Sequence, residues 1–166
     1  MVNIKRWLRH AFMPPWRWRV LFPKKALGDI EKAINHSERR HNGELRFAVE
    51  NTLALAKVWR GMSARQRALE MFSDLRVWDT EENSGVLIYL LLADREVHIV
   101  ADRGIIGRVP LAEWDAVAAA MQREFLRGDF LGGSLHGIER ITILLSAHFP
   151  ADAGNSNELS NKPVIS

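Results

Sequence analysis

Residues 86–101 read VLIYLLLADREVHIVA, and this stretch decides the fold. Val86–Ala93 is an unbroken apolar run, which is typical of a central strand that is covered on both faces. Asp94 and Arg95 predict a tight turn, and Glu96–Ala101 then alternates between apolar and polar residues as a strand does. The apolar run is also far shorter than the roughly 20 residues that a membrane-spanning helix needs. The stretch therefore predicts a β-hairpin inside a soluble or peripheral protein.

A second strand is predicted upstream of this hairpin. Glu44–Glu50 alternates in polarity, which indicates a strand with one buried face. Ser63 followed by Gln66 forms a capping box, so a helix should begin there and connect the two strands. Strands joined by a helical crossover run parallel, whereas the hairpin is antiparallel. We therefore expect a small mixed sheet.

Helical periodicity flanks these strands. Amphipathic helices are predicted over Lys25–His41 and after Pro110, and Ser134 is the predicted N-cap of a last helix. Helices on both sides of the hairpin in sequence can cover both faces of the sheet. The predicted fold class is α/β.

Basic charge is concentrated in the first 25 residues. They contain seven Lys or Arg, three of the six tryptophans, and no Asp or Glu. The rest of the chain has 16 basic and 20 acidic residues, so the high isoelectric point belongs to an arm on a mildly acidic body. We predict three parts, namely a basic Trp-rich arm over residues 1–25, an α/β domain over 26–150, and a polar, disordered tail over 151–166.

The composition also restricts the location and the chemistry. Without cysteines, the chain has no disulfide, no thiolate zinc site and no Cys nucleophile. This composition fits a reducing compartment, and Pro14 and Pro15 interrupt any secretory signal. We expect a cytoplasmic protein that is peripheral to the inner membrane and has no organic cofactor.

The topology predicts that two acidic loops meet at one end of the sheet. Asp79, Glu82 and Asn83 precede one strand, and Asp102 follows its hairpin partner. Carboxylate and amide oxygens suit Ca²⁺ or Mg²⁺, and Arg103 beside such an ion could hold a phosphate. The alternative is that the acidic loop is merely solvated and Asp102 is a turn residue.

The arm combines tryptophans with basic residues, which suits a membrane interface with anionic lipid. The alternative is that the arm folds back and buries its tryptophans on the acidic body. Nucleic acid is not a favoured partner, because the body offers no basic face. The predicted membrane contacts are Trp7, Arg9, Trp16, Arg17, Trp18 and Arg19.

Three short motifs occur in order along the body. They are Asn83-Ser84-Gly85 before the apolar strand, the charged turn Asp94-Arg95-Glu96 leading into Val97-His98-Ile99, and Arg127-Gly128-Asp129-Phe130 leading to Gly133. Together they resemble the TPM domain, a phosphatase-like family of thylakoid-lumen, photosystem-repair and channel-modulator proteins with bacterial relatives. The resemblance covers residues 43–146. It matches the family pattern at Asn83 and Asp129.

The resemblance implies a three-layer α/β/α sandwich. It also implies phosphatase activity or calcium binding in some members and roles in maintaining membrane protein complexes. This chain departs from the pattern, because Ser84 replaces an Asn and residues 101–106 and 109–111 differ from the family loops. We therefore expect a binding or assembly module that docks on a membrane surface or membrane protein complex through its arm. The alternative is a metal-assisted phosphatase that uses the acidic loops.

Overall fold

The computed structural model describes residues 3–154 and 156–166. The strands are β1 Glu44–Glu50, β2 Gly85–Leu91, β3 Glu96–Ala101 and β4 Val164–Ile165. The helices are α1 Ile4–Phe12, α2 Arg17–Leu21, α3 Lys24–Glu38, α4 Leu55–Trp59, α5 Ala64–Asp74, α6 Arg103–Ile106, α7 Leu111–Leu126 and α8 Phe130–His148. The predicted capping box at the start of α5 is present, with both reciprocal hydrogen bonds.

The strands form one mixed sheet in the order β3-β2-β1-β4. β1 and β2 are parallel, with Phe47 opposite Ile88, and β2 and β3 are antiparallel, with Ile88 opposite Ile99. The predicted strand directions are therefore confirmed. The apolar run of β2 is the centre of the sheet because it is paired on both sides.

Helices cover both faces of this sheet. On one face, α3, α7 and α8 bury a core built around Ile34, Trp114 and Ile141. On the other face, α4 and α5 bury a smaller core around Met71 and Tyr89. This arrangement is the expected three-layer α/β/α sandwich.

The prediction that β1 has only one buried face is wrong, because every residue of β1 is buried. Its polar side chains lie on the second face and find partners there. Tyr89 donates a hydrogen bond to Glu50 at 2.5 Å, and Arg67 pairs with the same carboxylate at 2.9 Å. Arg46 donates to the carbonyl oxygen of Ser160. The polar positions in the alternating sequence of β1 therefore mark a buried face whose side chains have polar partners. Burying a polar group costs little free energy when it is hydrogen-bonded.

The prediction of a disordered tail is also wrong for the residues that form β4. These residues pair in parallel with β1 at Ala48 and Val49. The Glu44 carboxylate accepts hydrogen bonds from the backbone amides of Glu158 and Leu159, each at 3.1 Å. The free edge of β1 supplies unpaired backbone groups that even a polar segment can satisfy.

The last helix begins four residues before the predicted N-cap at Ser134. Asp129 is the N-cap, and its Oδ1 accepts from the amide of Gly132 at 2.8 Å. Ser134 instead donates to the carbonyl oxygen of Phe130 within the helix. A Cβ at Gly137 would collide with Met121, so the glycines of this segment allow α8 to pack closely on α7.

Candidate functional site

One buried carboxylate, that of Asp94, pairs with the basic residues of α1 and anchors the arm on the body. Asp94 lies in the turn between β2 and β3 and is almost fully buried. Arg6 of α1 donates to both of its oxygens, from Nε at 3.0 Å and from Nη2 at 2.7 Å. Bidentate pairs of this kind are among the strong charge-assisted interactions in proteins. The predicted tight turn therefore serves as the anchor point of α1.

His10 completes this contact. Its Nδ1 accepts a hydrogen bond from the amide of Leu53 at 3.0 Å, so in the neutral ring the proton lies on Nε2. That nitrogen donates to Asp94 at 3.1 Å. Burial by itself raises the pKa of Asp94, but the hydrogen bonds from His10 and Arg6 outweigh it and lower the pKa to about 2. The carboxylate is thus charged whenever the arm is docked at neutral pH.

The opposite face of α1 is apolar and exposed. The sequence places Ile4, Trp7, Leu8, Ala11 and Phe12 on one apolar stripe, but the structure divides this stripe. Trp7 packs on the smaller core, whereas Ile4 is 66% exposed, Leu8 41% and Phe12 78%. The helix turns polar groups inward because the buried Asp94 attracts them, and this orientation leaves three large apolar side chains in solvent.

The part of the arm that follows α1 also has some apolar side chains packed on the body and others exposed to solvent. Pro14 follows the end of α1, and its carbonyl oxygen accepts from Nδ2 of Asn51 at 3.0 Å. Trp18 is half-buried and packs against the main core, where Phe22 is fully buried. Trp16 is 60% exposed and Val20 64%. Exposed apolar residues therefore recur every fourth position from residue 4 to residue 20.

We refer to Ile4, Leu8, Phe12, Trp16 and Val20 together as the arm apolar surface. Of the predicted membrane contacts, Trp7 and Trp18 pack on the body, whereas the others are exposed, namely Trp16, Arg9, Arg17 and Arg19. The predicted membrane contacts were chosen for tryptophan and arginine, and they omitted Ile4, Leu8, Phe12 and Val20. The four-residue spacing of these apolar residues was visible in the sequence. Of the helices in residues 3–154 and 156–166, none has the length and apolar character to span a bilayer.

The two acidic loops meet as the topology predicted. The amide of Gly104 donates to the carbonyl oxygen of Asn83 at 3.1 Å, and Nε of Arg103 donates to Oδ1 of Asn83 at 3.1 Å. Asp102 caps the short helix α6, with its Oδ1 accepting from the amide of Arg103 at 2.7 Å. Asn83 has a positive φ of 52°, an uncommon conformation that asparagine tolerates. Asn83, Asp102 and Arg103 therefore form one contiguous cluster.

The other two predicted cation ligands lie outside this cluster. Asp79 and Glu82 are exposed, and their side chains make no hydrogen bond or ion pair with any described residue. Across the described part of the chain, no three or more His, Asp or Glu side chains are grouped so that they could hold a metal ion. The amide oxygen of Asn83 is engaged by the guanidinium of Arg103, so it is not free for a cation in this arrangement. The four predicted ligands therefore do not form a ready-made cation site here.

Asp129, the other position matched to the family pattern, has a structural role in this chain. Gly128 ends α7 with a φ of 86°, and Asp129 then caps α8. The motif around it is therefore the short connection between α7 and α8. This connection needs a residue that tolerates positive φ and a carboxylate that caps the next helix.

Two buried ionisable groups were not identified from the sequence. Burial raises the pKa of Glu38 to about 8, so its carboxyl group is largely protonated at pH 7. Burial also lowers the pKa of His41 to about 4. His41 lies 2.8 Å from the hydroxyl of Ser37, which in turn lies 2.6 Å from Thr142 on α8. This network links α3 to α8 and has no access from solvent, so its role is structural.

Comparison with known proteins gave matches in a family model and in solved structures. The family model described as the TPM domain matches residues 20–143. The NMR structure of the BA42 protein from the psychrophilic bacterium Bizionia argentinensis is 30% identical, with a TM-score of 0.76, and the alignment covers 86% of this chain and 93% of that one. The N-terminal domain of a P. gingivalis protein shares the fold at 15% identity and a TM-score of 0.64, covering 78% of this chain and 79% of that one. No curated protein matches the sequence. The matched family region begins after most of the arm.

Proposed function

Because this chain belongs to the TPM domain family, we propose that it is a TPM-domain binding module that docks on an anionic membrane surface through its arm. The observation that carries the proposal is the orientation of α1, which turns polar side chains towards the body and apolar side chains towards solvent. Its Arg6 and His10 face the body, and three of its large apolar side chains, Ile4, Leu8 and Phe12, face solvent. Exposed apolar patches of this kind mark protein or membrane contact sites.

Basic residues beside the arm apolar surface support a lipid partner. Lys5, Arg17 and Arg19 are exposed on the same segment, and no acidic residue occurs in the first 25 positions. Each basic residue near an anionic surface contributes about 1 kcal/mol of attraction. Each large apolar side chain that becomes fully buried adds roughly 1.5–3 kcal/mol. Partial insertion of five such side chains gives reversible, peripheral binding, and we place it at the cytoplasmic face of the inner membrane.

Vesicle flotation tests this function. We expect the protein to float with vesicles that contain phosphatidylglycerol and to bind neutral phosphatidylcholine vesicles more weakly. Phe12→Ser with Trp16→Ser should weaken binding at least tenfold, because two exposed anchors are lost. Leu69→Ser with Ile143→Ser is the matched control, since it removes two apolar side chains elsewhere that are also more than half exposed, at 51% and 55%. Equal binding of all three proteins, or no binding at all, refutes membrane docking.

A metal-assisted phosphatase is the second candidate, and Asp102 is the observation that favours it. Asp102 is buried, and its Oδ2 makes no hydrogen bond to any described residue. An unsatisfied buried carboxylate oxygen is costly, and a bound cation is one way to compensate it. The exposed guanidinium of Arg103 lies beside it and could hold a phosphate.

Phosphatase assays separate this candidate from the first. Hydrolysis of p-nitrophenyl phosphate should require Ca²⁺, Mg²⁺ or Mn²⁺ and should fall at least tenfold in Asp102→Asn. Asp79→Asn is the control, because that carboxylate is exposed and outside the cluster. The enzyme candidate is refuted by absence of metal-dependent turnover, or by equal rates in wild type and Asp102→Asn.

A further inference from the structure

A pocket of about 490 Å³ lies between the arm and the edge of the body where β2 ends. Its volume is within the roughly 300–1,000 Å³ that is usual for small-molecule sites. The pocket is separate from the acidic loops, which lie at the opposite end of β2. Its apolar lining includes Met13, Leu21, Leu90, Leu92, Phe125 and Phe130.

One wall of the pocket is aromatic and well packed. The rings of Phe125 and Phe130 are stacked, with centroids 5.0 Å apart and planes at 9°. Phe22, which is fully buried, supports Phe130 edge-on at a centroid distance of 5.7 Å. A wall held in this way is largely pre-formed, so a ligand would bind without the cost of ordering it.

Two arginines line the pocket, and their guanidinium groups are not engaged by other described side chains. Within the described part of the chain, Arg17 and Arg95 make no side-chain hydrogen bond or ion pair. The carbonyl oxygen of Arg95 accepts from Nε2 of Gln122 at 3.1 Å, which fixes the backbone of the turn. Glu96 also lines the pocket, but it lies 2.8 Å from Nε2 of His98, which is a partner outside the lining. The lining thus holds two guanidinium groups and one carboxylate, so its net charge is positive.

We propose that this pocket binds a fatty acid, with the acyl chain against the apolar lining and the carboxylate held by Arg17 and Arg95. Charge complementarity selects an anionic head group, because two unpaired guanidinium groups face few competing acceptors. The scarcity of other polar side chains in the lining disfavours a sugar or nucleotide, which would need several hydrogen-bonding partners. This site goes beyond the proposed membrane docking and does not depend on it.

Titration with decanoate in solution tests the site on the full-length protein. We expect saturable binding at one site by calorimetry, with amide shifts in the NMR spectrum concentrated at residues 90–95 and 125–130. Decanol has the same chain without the charge, and decyltrimethylammonium has the opposite charge. Both should bind at least tenfold more weakly than decanoate.

Matched arginine variants make the test specific. Arg17→Gln with Arg95→Gln should weaken decanoate binding at least tenfold. Arg65→Gln with Arg76→Gln should leave decanoate binding unchanged, because neither residue lines the pocket. This control is matched in local structure. Arg17 and Arg65 each lie in the first turn of a helix, and Arg95 and Arg76 each have a positive φ. The Phe12→Ser and Trp16→Ser protein should retain decanoate binding even where vesicle binding is lost. Absence of saturable binding, equal affinity in the two arginine variants, or shifts confined to the arm apolar surface overturns the proposal.

Discussion

Glu38 lies buried at the C-terminal end of α3, where its Oε1 accepts from the amide of Leu45 at 2.9 Å. Burial disfavours its charged form and raises its pKa from 4.5 to about 8, although that hydrogen bond acts in the opposite direction. The folded protein therefore retains a proton that the unfolded chain releases above pH 4.5. By linkage, the free energy of unfolding decreases as pH rises from about 4.5 to about 8.

Glu38→Gln should remove this pH dependence. Glutamine keeps an oxygen for the amide of Leu45 and carries no charge, so the variant should be more stable than wild type at pH 9, by on the order of 3 kcal/mol. At pH 4.5 the two proteins should be close in stability. The measurement is urea denaturation at a series of pH values, followed by tryptophan fluorescence.

The control is Glu31→Gln, which makes the same chemical change earlier on α3. Its free energy of unfolding should follow the wild-type pH profile. If Glu38→Gln shows the same decrease with pH as wild type, the assignment of a protonated Glu38 in the folded state is wrong.

Helix α1 depends on its contact with the body. It has nine residues, and isolated helices of that length are marginal in water. Asn3 caps its first turn, but the tertiary contact of Arg6 and His10 with Asp94 supplies the main fixed interaction. Helix α1 is thus held by the buried carboxylate of Asp94, together with the hydrogen bond from the amide of Leu53 to His10 and the packing of Trp7.

Asp94→Asn should loosen α1 and lower the free energy of unfolding by on the order of 2 kcal/mol, because Arg6 loses its charged partner. Amide hydrogen exchange should accelerate in residues 4–12, and the fluorescence of Trp7 should shift to longer wavelength as that ring becomes hydrated. In wild type, the stabilisation from Asp94 should be lost as pH falls from 3.8 towards its folded pKa of about 2.

Asp74→Asn is the control for this variant. Asp74 also pairs with an arginine, Arg67, at 3.1 Å, but its side chain is 62% exposed. Exposed pairs contribute about 0–1 kcal/mol, so this change should leave exchange in α1 unaltered. Slow exchange in α1 of Asp94→Asn would show that the carboxylate is not its anchor.

At the scale of the whole molecule, the arm and the tail both pack on the sandwich. The arm covers the end of the sheet where β2 and β3 meet, and the tail pairs with the free edge of β1. The basic arm and the acidic body attract one another, as the charge division along the sequence suggests. Among the described residues, Asp94 pairs with Arg6, Arg9 and His10, so Arg17 and Arg19 keep their charges available for a partner.

Much of the fold was predictable because it follows from local patterns. The unbroken apolar run of β2, the turn at Asp94 and the capping box at Ser63 each specify an element from neighbouring residues alone. The meeting of Asn83 with Arg103 also followed, since strand directions place the two loops at one end of the sheet. Of the predicted cation ligands, Asp79 and Glu82 do not join the cluster of Asn83 and Asp102, because the approach of side chains depends on loop conformations that carry no periodic signal.

Local sequence determined where β1, β2 and β3 lie, the relative directions of these three strands and how charge is divided along the chain, because these depend on patterns within short segments and on the connections between them. The pairing of β4 with β1 did not follow, since the tail has no strand pattern of its own. Only the tertiary structure decided which face of α1 meets solvent. A single buried carboxylate, more than 80 residues away in sequence, draws Arg6 and His10 inward and leaves Leu8 and Phe12 exposed. The same long-range packing places Arg17 and Arg95 around one apolar pocket, since no pattern within either segment records the distance between them.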